Sequence, residues 1–240
     1  MPDPIVEEPS NRTRAKVVGR VLRFIWVVDC SGSMSQDQKM ATLNTLVREQ
    51  IPEIRIESLE NSVNATLEMQ VLAFSDGARW EVSQPTNLET FTWKDLTADG
   101  VTDMGAAFHE LANALDMSKM PKAALAPVLV LITDGQATDD IKPGLEKLLA
   151  QPFGKKSIRI GIGIGEDADM DQIRKFTSNS EYAFHCKTGR KLAKLLKWVS
   201  GVISDVSNPI SNVTNGDEVI IRVSDTLKTD DSTADGSFIS

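Results

Sequence analysis

Apolar runs and amphipathic stripes alternate along this chain. Phe24-Ile25-Trp26-Val27-Val28 is an unbroken apolar run ended by Gly and Ser, which predicts a buried first strand from Arg20 to Val28. Met40, Leu43, Leu46, Val47 and Ile51 then recur at helical spacing. Pro52 is expected to break that helix, with Ile54 to Leu59 continuing as a second short one. Ala65 to Phe74 alternates as a strand, and Ser75-Asp76-Gly77 turns it into an antiparallel edge strand from Ala78 to Val82. Pro85 to Asp99 reads as a long surface loop carrying Phe91, Trp93 and Leu96. Met104, Phe108, Leu111 and Leu115 mark the next helix.

Pro127 to Thr133 is apolar almost throughout, as a parallel strand buried on both faces should be. A helix from Asp140 to Leu149, a strand from Ser157 to Gly163 and a short helix from Met170 to Phe176 follow. A last strand from Tyr182 to Cys186 precedes a closing helix marked by Leu192, Leu195, Leu196, Val199, Ile203 and Val206. Strands alternating with helices predict an α/β fold: a doubly wound, mostly parallel six-stranded sheet with one antiparallel edge strand. The domain is expected over residues 18–206. Residues 1–17 read as a flexible lead and 207–240 as an extension, with a possible strand from Glu218 to Val223. The Ser-, Thr- and Asp-rich end from Ser224 to Ser240 has too little apolar surface to offset chain entropy, and a kinase could reach it.

Composition narrows the function. A length of 240 residues suits one such domain with tails. Thirty-four acidic against 26 basic residues give a net charge of −8, which argues against general binding to nucleic acid or anionic membrane. Lys187, Arg190, Lys191, Lys194 and Lys197 read as a solvated helix face. The first residues lack the basic start and apolar core of an export signal, and no apolar run reaches the length of a membrane span. Cys30 and Cys186 are expected at the ends of a central and a distant edge strand, too far apart to pair. Two free thiols suit a reducing cytoplasm.

The candidate chemistry lies where strands end. Asp29, Ser31 and Ser33 alternate on the loop after the first strand, so a carboxylate and two hydroxyls can converge there. These are hard ligands, suited to a divalent cation such as Mg²⁺ rather than to zinc. Gly32 allows the bend between the serines. Taken alone, the segment is equally well read as an Asp/Ser helix cap. Thr102, just before a helix, and Asp134, just after a strand, each have a similar alternative as a cap or turn residue. All three segments at element termini, in this order, are hard to attribute to capping.

Asp29-x-Ser31-x-Ser33, Thr102 and Asp134 together resemble the metal-ion-dependent adhesion site of von Willebrand factor A domains, over roughly Val18 to Asp205. The segments "VVDCSGSM" and "LITDGQATDD" look most like bacterial cytoplasmic members, among them the TerY type associated with tellurite-resistance and stress operons. The resemblance implies a cation, Mg²⁺ first and Mn²⁺ or Ca²⁺ next, held by Ser31, Ser33 and Thr102. Asp29 and Asp134 would support it through water. It also implies a protein partner whose Asp or Glu completes the site, with kinases and phosphatases as candidate neighbours. Asp103 and the Asp139-Asp140 pair, near the rim, read as capping residues.

Other motifs carry less. Gly163-x-Gly165-x-x-Ala168 fits a dinucleotide pattern, but Glu166 and Asp167 would repel a pyrophosphate, so a sharp turn is the better reading. No Walker A loop is present. Asp29 is placed similarly to the nucleophile of haloacid-dehalogenase phosphohydrolases, yet Ser31 stands where their general acid/base carboxylate belongs. His109 and His185 read as packed or surface residues, and no catalytic Ser-His-Asp or Cys-His set is supported. The expectation is a non-enzymatic interaction module. A Mg²⁺-dependent phosphohydrolase, and a metal-free scaffold binding through the Phe91/Trp93 loop, are the alternatives.

Overall fold

The computed structural model describes residues 19–61 and 65–207. The lead over residues 1–17 and nearly all of the extension over 207–240, including the possible strand and the Ser/Thr tail, lie outside them. Six strands form one sheet: β1 (Arg20–Asp29), β2 (Ala65–Ser75), β3 (Gly77–Asn87), β4 (Val128–Thr133), β5 (Ile158–Ile164) and β6 (Ala183–Cys186). Their order is β3-β2-β1-β4-β5-β6. Every pairing is parallel except β2 with β3. Six helices cover the faces: α1 (Lys39–Asn61), α2 (Met104–Ala114), α3 (Ile141–Ala150), α4 (Pro152–Lys156), α5 (Met170–Thr177) and α6 (Gly189–Ser207). This is the doubly wound sheet with one antiparallel edge that the pattern predicts.

Side-chain alternation divides the core into two layers. Leu22, Phe24, Trp26 and Val28 of β1 join Val128, Val130 and Ile132 of β4 under α1 and α6. Ile25 and Val27 join Leu129 and Leu131 under α2 and α3. Where α2 and α3 cross, a Cβ on Gly144 would lie 2.4 Å from the Gly105 carbonyl oxygen, so the backbones touch directly. Cys30 and Cys186 are both free and buried. Two strands separate theirs in the sheet, so no disulfide can join them.

Three expectations need correction. Pro52 lies inside α1, which runs unbroken from Lys39 to Asn61. Its ring is on the exposed face, where water can satisfy the carbonyl one turn back. The edge strand continues to Asn87, with Pro85 inside it, a tolerated place for a residue without an N–H. Phe91, Trp93 and Leu96 are not at the surface: they are 1%, 8% and 5% exposed. Asn44 of α1 holds this segment inward. Its Oδ1 accepts from Trp93 Nε1 at 3.0 Å and from the Leu96 N–H at 2.9 Å, while its Nδ2 donates to the Leu96 carbonyl at 2.9 Å. The aromatic side chains of this loop therefore offer no docking surface.

Candidate metal centre

Chain order runs outward from β1 to β2 and β3 on one side, then resumes on its other side with β4, β5 and β6. The gap between the carboxyl ends of β1 and β4 is therefore the switch point, the crevice where open α/β sheets place ligands. Asp29 is the last residue of β1, and Asp134 directly follows β4. Asp29 and Thr133 lie one step beyond the Val28–Ile132 pair of the parallel register.

A chain of short contacts links four of the five predicted residues. Asp29 Oδ1 accepts from the Ser31 N–H at 2.8 Å, and its Oδ2 from Thr133 Oγ1 at 2.5 Å. Ser31 Oγ and Ser33 Oγ are 3.0 Å apart. Ser33 Oγ donates to Asp134 Oδ1 at 2.6 Å. Both carboxylates are buried, Asp29 fully and Asp134 to within 1%. Burial holds the Asp29 carboxyl above the ordinary aspartate range; the hydrogen bonds from Ser31 and Thr133 pull it down, and the nearby Asp134 charge adds to the rise. Burial also pushes the neighbouring Cys30 thiol up to about 12, which fits a packing residue rather than a ligand.

Thr102 arrives on a third loop. That loop is tied to the first where Gly32 N–H donates to the Gly100 carbonyl at 3.0 Å and Asp99 N–H to the Cys30 carbonyl at 2.7 Å. It is tied to the Asp134 loop where Thr138 N–H donates to the Thr102 carbonyl at 2.9 Å and Thr102 N–H to Thr138 Oγ1 at 3.1 Å. Thr102 is 6% exposed, and its hydroxyl makes no hydrogen bond among the described residues, to the other four or to anything else.

The capping alternatives fail in detail. Ser31 occupies the cap position of the 3₁₀ turn Gly32–Gln38, yet its side chain makes no capping bond. Asp103 occupies that position at α2 without one, and Asp139 from another loop serves the first turn instead, accepting from the Gly105 and Ala106 N–H groups at 2.8 and 2.9 Å. Asp140 caps α3 by accepting from Lys142 N–H, so the Asp139-Asp140 pair does cap helices. Asp103 accepts from Gly77 N–H and Thr138 Oγ1, bracing the rim. Gly165 has φ of 84°, the sharp turn expected in place of a dinucleotide loop.

One residue escaped the sequence reading. Lys39 opens α1, and its Nζ donates to Asp134 Oδ2 at 2.7 Å in a pair whose side chains are 8% and 0% exposed. A lysine at a helix start carries no sequence signal for this position.

The donor set suits a hard cation. Among the described residues no group of three or more His, Cys, Asp or Glu could hold a metal. Two carboxylates, three hydroxyls and no sulfur or imidazole are what the five residues offer, a set of oxygen donors that fits a hard divalent cation.

Residues 25–198, well over half of the chain, match the model of the von Willebrand factor type A domain, and the chain belongs to that family. Solved structures share its fold. A von Willebrand factor type A protein from Catenulispora acidiphila is 18% identical with a TM-score of 0.57, covering 77% of this chain and 43% of that one. Proximal thread matrix protein 1 of the mussel byssus, solved with zinc in its MIDAS motif, is also 18% identical at a TM-score of 0.57, with coverages of 78% and 46%. The pilus adhesin SpaC of Lactobacillus rhamnosus GG is 12% identical at 0.62, with coverages of 78% and 31%. This chain thus spans less than half the length of these proteins. None of its described helices is long and apolar enough to cross a membrane.

Proposed function

We propose that this protein is a cation-dependent interaction module, not an enzyme. Ser31, Ser33 and Thr102 would hold a divalent cation, Mg²⁺ by the hardness of the donors, with Asp29 and Asp134 supporting it from behind. The cation would supply a Lewis-acidic seat for an Asp or Glu of a protein partner. The carrying observation is the buried chain of contacts that runs from Asp29 through Ser31 and Ser33 to Asp134, with Thr102 on a loop tied to both neighbouring loops and its hydroxyl making no hydrogen bond among the described residues. Neutral hydroxyls nearest the cation leave it short of negative charge, which favours an anionic ligand from outside. Zinc in the MIDAS motif of the mussel protein supports a divalent ion in this fold. The resemblance to TerY-type proteins suggests a bacterial cytoplasmic setting beside stress or tellurite-resistance functions, with kinases or phosphatases nearby.

Phosphohydrolysis is the weaker reading, because Ser31 occupies the place of a general acid/base and Asp29 already accepts two hydrogen bonds in a buried position. Calorimetry with MgCl₂ tests the proposal. One site is expected, weakened at least roughly 10–100-fold in Asp29→Ala with the fold intact. Equal affinity in the two proteins would overturn it.

A further inference from the structure

Lys39 is placed with evident expense. The turn before it ends in Asp37 and Gln38, at φ of 51° and 55°, two consecutive non-glycine residues in the left-handed region that L side chains disfavour. This double kink starts α1 at Lys39 and turns its side chain inward beneath the metal loop. On the far side Gly165 makes room: a Cβ there would lie 3.2 Å from Lys39 Cε and 3.4 Å from Nζ. The ammonium meets Asp134 Oδ2 at 2.7 Å, while Asp134 Oδ1 takes the Ser33 hydroxyl.

The consequence is a matter of charge. Two buried carboxylates alone would neutralise a divalent cation. With Lys39 beside them, the same cation leaves the centre one positive charge in excess, in a medium where charges interact more strongly than in water. Resting on the cation reading above, we infer that Lys39 is a resident counter-ion of Asp134 that weakens cation binding by the isolated chain and makes it cooperative with an anionic ligand. The acidic group of the partner then restores neutrality. Because such coupling is reciprocal, the partner tightens the cation as much as the cation tightens the partner. In the cation-free chain Lys39 keeps Asp134 from being a lone buried charge.

Mn²⁺ titrations of the full chain, followed by the paramagnetic resonance of free Mn²⁺ with and without acetate as a small carboxylate, test this. Lys39→Met and Lys39→Gln should each bind Mn²⁺ at least roughly tenfold more tightly than the wild type. Lys39→Arg, which keeps the charge, should stay near the wild type. Acetate should tighten Mn²⁺ in the wild type and do so by a smaller factor in Lys39→Met. The cation-free Lys39→Met protein should melt several degrees lower, and Mn²⁺ should restore it. Neutral variants that bind Mn²⁺ no more tightly than wild type, or an arginine variant as tight as methionine, would overturn the inference. Asp29→Ala serves as the control. If it weakens Mn²⁺ and the neutral Lys39 variants do not tighten it, only the role of Lys39 fails; if it matches wild type, the cation site itself fails and this inference with it.

Discussion

The two ends of the parallel sheet treat buried charge in opposite ways. At the amino end of β5, Arg159 is 7% exposed and held by fixed groups. Its guanidinium donates to the Phe176 carbonyl at 2.7 Å, the Gly154 carbonyl at 2.9 Å and Ser178 Oγ at 2.9 Å. Phe176 and Ser178 lie at the carboxyl end of α5, where the helix dipole favours a cation. At the other end, Asp29 and Asp134 are held by hydroxyls, one backbone N–H and one lysine, with the Thr102 hydroxyl making no hydrogen bond among the described residues. A charge locked by backbone carbonyls staples α4, β5 and α5 together. Carboxylates held by hydroxyls, which can rotate and either donate or accept, can be re-partnered. The difference separates a structural polar centre from a candidate binding one, although both are buried.

That contrast can be broken by experiment. Arg159→Ala should have the largest effect, a loss of about 3 kcal/mol in urea unfolding, because several buried carbonyls lose a charged donor at once. It should leave Mg²⁺ affinity unchanged; a matching loss of cation binding would mean that the two ends are not independent. Thr102→Ala should do the reverse. It removes a hydroxyl that has no hydrogen-bond partner among the described residues, so the melting temperature should hold, while calorimetry should find Mg²⁺ binding weaker by roughly tenfold. A lower melting temperature with unchanged affinity would make Thr102 a packing residue.

A smaller effect separates the carboxylates from each other. The Asp29 carboxyl is raised by burial, so the folded chain takes up its proton more readily than the unfolded chain does. Above the folded value the buried charge opposes folding, and that penalty disappears as pH falls through it. Asp29→Asn should therefore make the cation-free protein more stable at neutral pH. The gap should close on acidification toward the ordinary aspartate range. Thermal unfolding across that range checks this, and a gap that widens as pH falls would show that hydrogen bonds, not burial, govern Asp29.

Much of the fold is legible in the sequence. Apolar runs mark β1 and β4, and a strand that stops in Asp or Thr-Asp places carboxylate and hydroxyl oxygens at the switch point. Phe91 and Trp93 were misread because their segment has no periodicity. Trp93 is held inward by Asn44 and the Phe91 carbonyl is bound by Arg55, both distant in sequence, through hydrogen bonds that spacing cannot reveal. The continuity of α1 through Pro52 depends on which face meets solvent, a tertiary fact. Lys39 was invisible for a different reason. Its inward course follows from left-handed backbone at Asp37 and Gln38, residues that in sequence look like an ordinary polar turn.

The central claim is that the β1–β4 crevice seats a divalent cation between three loops, and anomalous diffraction from a crystal of the full chain soaked in Mn²⁺ tests it most directly. The account predicts one strong peak in that crevice, bounded by the hydroxyls of Ser31, Ser33 and Thr102 with Asp29 and Asp134 behind, and its loss in Asp29→Ala. Saturating Mn²⁺ with no peak there, or a peak coordinated by other residues, would contradict it.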